Sequence, residues 1–83
     1  MSTRISRQDI RKSLQGKNID SDVREKIGDY FDDSFSSMEV KDKLASELAN
    51  RTSLSRKRKY REMGLNEDER GEIEEFLSEN MGN

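Results

Sequence analysis

The chain has 83 residues, 29% of them apolar and 41% charged, with no Trp, Pro, Cys or His and a formal net charge of −2. This allows one small domain with a modest core. It excludes a disulfide framework and any Cys/His zinc set, and it removes the commonest general base and the strongest nucleophile. The expectation is a non-enzymatic protein without cofactor or metal.

Ser6 opens the first predicted helix, with Asp9 three residues on. Ile5 and Ile10 sit at the two staple positions, Leu14 extends the apolar face, and Gly16 stops the helix. Its outer side carries Arg7, Arg11 and Lys12. Asp20 or Ser21 caps the second helix. There Val23, Ile27, Tyr30, Phe31 and Phe35 form an apolar stripe, and Asp29, Asp32 and Asp33 form an acidic outer face. Gly28 is expected to weaken this helix slightly.

Ser36 with Glu39 repeats the capping-box pattern, and Phe35 with Val40 repeats the staple. A third helix over residues 37–50 follows, buried through Val40, Leu44 and Leu48 and widened by Ala45 and Ala49. The alternative is one continuous helix over residues 21–50, giving the short–long–short outline of a histone fold. Thr52 or Ser53 caps a fourth helix that ends at Gly64. This helix is poorly amphipathic, because Leu54, Tyr60 and Met63 do not share a face. Asn66 and Glu69 box the start of the last helix. Its stripe is Ile73, Phe76 and Leu77, reaching toward Met81, with fraying expected over residues 81–83.

Charge is distributed unevenly. Residues 1–61 hold 15 bases and 10 acids, a balance of +5, and residues 62–83 hold one base and eight acids, a balance of −7. The reversal follows the run 51–61, which has six cations and no acid. Arg51, Arg56, Lys57, Arg58, Lys59 and Arg61 are candidates for nucleic-acid phosphates. Ser53 and Ser55 could add hydroxyl donors, and Tyr60 a hydroxyl or a stacking ring. A localisation or docking signal, or a solvated face balanced by the acidic tail, would read the same way. The order of third helix, polar turn and basic helix is that of a helix-turn-helix, which favours DNA over RNA. In that arrangement Leu54 would anchor the second helix.

The competing reading is a protein-binding inhibitor, adaptor or assembly factor. It would use Asp29, Asp32 and Asp33 with Glu72 and Glu75 on the 67–79 face. The acidic helix 66–83 either packs on the 1–65 core, docks in a partner's groove, or lies over the basic run. Fold class is expected to be all-α, a bundle of four or five short helices centred on Ile10, Leu14, Val23, Ile27, Phe31, Phe35, Leu44 and Leu48. No apolar run is long enough to span a membrane, and the opening residues lack the apolar core of a signal peptide. An intracellular protein is therefore expected, cytoplasmic or nucleoid-associated, and so small a core is compatible with a homodimer.

Overall fold

A computed structural model describes residues 4–81, and side chains through residue 79. Among the described residues five helices follow one another: α1 (Arg7–Leu14), α2 (Ser21–Phe31), α3 (Ser37–Leu48), α4 (Ser53–Glu62) and α5 (Glu67–Met81). No strand occurs among the described residues. The expected reach of the last apolar stripe to Met81, and the fraying at the end of the chain, lie outside the described side chains.

Local chemistry sets the helix starts. The Ser6 hydroxyl accepts from the Asp9 amide at 3.1 Å, and Thr52 Oγ1 accepts from Ser55 at 3.2 Å. Ser36 and Glu39 exchange a full capping box. Asn66 and Glu69 exchange another at 2.8 and 2.9 Å. Each cap satisfies amides that have no partner inside their helix. Ile5 and Ile10 are both buried, as a staple requires.

The caps at Ser36 divide residues 21–50 into two helices, so the continuous-helix alternative does not occur. The second helix is also shorter than its stripe suggested. It ends at Phe31, where Asp32 takes φ 56° and the Asp33 amide donates to the Gly28 carbonyl at 2.9 Å. This is the Schellman closure, in which the chain folds back over the last turn. Gly28 is therefore not a weak point in a longer helix. A Cβ there would stand 2.6 Å from the Asp33 carbonyl oxygen.

Phe35 lies beyond the helix and returns to it, edge to face with Phe31 at 5.9 Å. Both rings are only partly buried, and the Lys43 ammonium covers them at 5.4 and 5.6 Å. They form a rim, not the centre. The centre comprises Ile10, Leu14, Val23, Ile27, Val40, Leu44, Leu48, Tyr60, Ile73 and Leu77, each almost fully shielded from water. Burying each large aliphatic side chain contributes about 1.5–3 kcal/mol. Helix α1 packs against both α3 and α5. The acidic last helix thus contributes Ile73 and Leu77 to the same core as the first helix.

Two chain reversals after α3 and α4 place the basic helix. Asn50 takes φ 60° and its amide donates to the Ile5 carbonyl at 2.7 Å, tying the turn to the start of the chain. Asn tolerates this left-handed conformation better than most residues. Gly64, at φ 79°, closes α4 with a second Schellman pair, Leu65 to Tyr60 and Gly64 to Arg61.

Candidate nucleic-acid interface

Helix α4 turns its Arg56–Tyr60–Met63 side inward, a spacing of four and three residues. The run of cations is thereby sorted by helical phase, and four of the seven candidate residues are engaged within the chain.

Arg56 is 6% exposed. Its Nε and Nη2 meet Glu74 Oε2 and Oε1, both at 3.3 Å, and its Nη1 donates to the Arg51 carbonyl at 3.1 Å. Tyr60 is completely buried, and its hydroxyl donates to Glu74 Oε2 at 2.8 Å. Burial, followed by the negative charge of Glu74, pushes the Tyr60 hydroxyl far above its usual pKa. Tyr60 is thus a core residue and offers neither a stacking face nor a free donor, contrary to the sequence expectation. Its hydroxyl is satisfied by Glu74, fourteen positions away, a partner that local spacing could not reveal.

Arg51 donates Nε to the Glu47 carbonyl and Nη1 to Ser55 Oγ. Ser55 is therefore occupied as well. Lys59 gathers three oxygens: Tyr30 Oη at 3.1 Å, and Glu47 and Glu62 carboxylates at 3.3 Å. These contacts, with the Tyr30 hydroxyl foremost and then Glu62 and Glu47, hold the Lys59 ammonium well above its usual pKa.

Lys57, Arg58 and Arg61 remain. All three are exposed on the outer side of α4, and among the described residues no carboxylate pairs with them. Leu54 shares this outer side at 63% exposure. It does not anchor α4 as the helix-turn-helix reading required, because the inward positions belong to Arg56 and Tyr60.

The sequence reading missed Arg70. It is the one base in the acidic segment 62–83. With Lys57 and Arg61 it lines a hollow of about 350 Å³ between α4 and α5. Helical spacing held the clue: Arg70 lies one turn before Glu74, the residue that faces Arg56, so both project toward α4.

The acidic candidates Asp29, Asp32 and Asp33 do not share one helix face, because α2 ends at Phe31. Asp29 lines a hollow with Asp22, Glu25 and Glu69, whereas Asp32 and Asp33 close α2. Glu72 lies under the influence of Asp20, Glu69 and Glu75. Partial burial first, and then these like charges, raise its pKa. Glu69 goes the opposite way. The Lys26 ammonium at 2.7 Å, and then the Asn66 amide, hold its carboxyl below the ordinary value.

No group of three or more ligating side chains among the described residues could hold a metal ion, and no described helix is long and apolar enough to cross a membrane. Comparison with protein families, with curated proteins and with solved structures finds no match to this chain.

Proposed function

We propose that this all-α bundle is a non-enzymatic module that contacts nucleic-acid phosphates through Lys57, Arg58 and Arg61. The observation that carries this reading is the sorting of charge on α4. Arg56 and Lys59 are neutralised by the chain's own oxygens, while three cations on the outward side have no such partner among the described residues. These three cations, unpaired among the described residues and spread over two turns of one helix, can meet neighbouring phosphates, and each contact releases bound counterions. Duplex DNA is proposed over RNA on the helix order alone, α3, a four-residue turn and then α4, since Leu54 does not supply the anchor of a helix-turn-helix.

The footprint is narrower than the sequence run, and the affinity is correspondingly modest. Binding to mixed-sequence DNA, followed across a salt series, should give a log–log slope of about −3 for three phosphate contacts. No binding at low salt would overturn the reading.

In that event the module serves a protein partner. The observation favouring this second reading is the cluster of Asp20, Glu69 and Glu75 about Glu72, whose carboxyl is held above its ordinary pKa by partial burial first and then by these like charges. A basic surface brought against this site would relieve the repulsion.

A further inference from the structure

We propose that the hollow between α4 and α5 is a site for a terminal phosphate monoester of the bound strand. This inference rests on the phosphate-contacting reading of α4 and adds a specific subsite to it. Lys57 and Arg61 approach from α4 and Arg70 from α5, so cations from two elements line one concave surface. A row of cations on a single convex helix suits successive phosphodiesters, each with one charge. A concavity lined from two sides suits a compact group with higher charge. A terminal phosphate carries close to two negative charges at neutral pH and three accepting oxygens. Two guanidinium forks and an ammonium supply donors matched to it.

Two carboxylates also line the hollow, Glu67 and Glu74. Glu74 is already bonded by Arg56 and Tyr60, so it is largely neutralised there. Counting Arg56, four cations stand against two carboxylates, and the balance is positive. Arg70 uses only its Nε, to the Asn66 carbonyl at 3.3 Å, which leaves the ends of its fork for a ligand. At Gly71, on the wall of the hollow, a Cβ would meet nothing within 4 Å, so the space beside Arg70 is open.

The test compares one mixed-sequence DNA duplex carrying either 5′-phosphates or 5′-hydroxyls, labelled at a 3′ end and followed by fluorescence anisotropy. The phosphorylated form should bind about fivefold tighter, the effect of one added exposed ion pair. Arg70→Gln should abolish that difference without changing the thermal melt. Arg58→Ala should weaken both duplexes by the same factor. Equal affinity of the two forms for the unaltered protein would overturn the subsite and leave the phosphodiester reading of α4 intact. If neither duplex binds, the proposed function falls, and inorganic phosphate titrated against the amide resonances of Arg70 and Gly71 decides the site alone. Unmoved resonances would then sink it. A gain seen with a phosphoserine peptide but not with the duplex would assign the hollow to phosphorylated proteins and refute the nucleic-acid source.

Discussion

Arg56 and Glu74 meet through two parallel bonds of 3.3 Å, joining the basic helix to the acidic one. The pair is asymmetric. The Arg56 side chain is 7% exposed and that of Glu74 is 30% exposed. Glu74 also accepts from the Tyr60 hydroxyl, so a single carboxylate satisfies two buried donors. The charge reversal along the sequence is therefore partly resolved inside the molecule, at the seam between α4 and α5.

Glu74→Gln should destabilise the protein by about 2 kcal/mol, less than a fully buried pair because Glu74 is partly solvated. For a chain of this size that corresponds to a fall in Tm of roughly 10 °C. The loss comes mainly from leaving the Arg56 charge buried without a counterion. Replacing all three partners by apolar groups, as Arg56→Met, Tyr60→Phe and Glu74→Leu together, should cost less than Glu74→Gln alone. Thermal melts of the two variants decide it, and a triple variant that is the less stable of the two would contradict this account.

Gly28 and Gly71, both within helices, should respond to alanine with opposite signs. Gly28→Ala places a methyl 2.6 Å from the Asp33 carbonyl oxygen, where the chain turns back over α2, and should cost about 1–3 kcal/mol. Gly71→Ala meets open space within α5, and should gain about 0.5–1 kcal/mol from the reduced freedom of the unfolded chain. Urea melts of both variants would show midpoints displaced to opposite sides of the unaltered protein.

That contrast marks where the sequence is legible. Caps at Ser6, Ser36, Thr52 and Asn66 require residues three apart, and each forms as local chemistry dictates. The apolar stripes of α1 and α3 are equally local, and the all-α bundle follows from them. Phe35 breaks the pattern because the positive φ at Asp32 interrupts the helix, although the spacing alone would continue it. The candidate interface was legible only as a run of charge. Which cations face outward depends on Glu47, Tyr30 and Glu74, which are remote from the run or belong to other helices. Arg70 joins the site for the same reason: α5 packs back on the bundle, and no spacing within residues 51–61 can report that.

Stability toward acid should depend on Glu69. Its carboxyl is held below the ordinary value of 4.5 by Lys26 and the Asn66 amide. A carboxyl depressed in the folded state contributes stability that is fully present above the unfolded value and is lost as pH falls through the folded one. Glu69→Gln should therefore lower the urea midpoint at pH 7 and leave it nearly unchanged at pH 2. Glu72 has the opposite sign. Its raised pKa means that its contribution is present below 4.5 and is lost as pH rises through the folded value. Glu72→Gln should raise the urea midpoint at pH 7, by a stability gain of about a few tenths of a kcal/mol. The two variants together separate a structural carboxylate from a repelled one.

Substituting the cations of α4 should separate folding from binding. Lys59 lies among Tyr30, Glu47 and Glu62 and is half-buried, so Lys59→Ala leaves Glu47 without its partner and should cost about 1 kcal/mol of stability. Lys57→Ala, Arg58→Ala and Arg61→Ala remove exposed side chains and should each stay within about 0.5 kcal/mol of the unaltered protein. Binding to mixed-sequence DNA should show the reverse order. Each of the three exposed substitutions should lower the salt slope by about 1, whereas Lys59→Ala should leave the slope unchanged while the protein remains folded. Measuring both properties on the same four variants matters because a shared electrostatic role would move them together. Equal slopes for Lys59→Ala and Arg58→Ala would mean that α4 does not meet phosphate by its outward side, and the charge sorting seen on this helix would then be a folding device only.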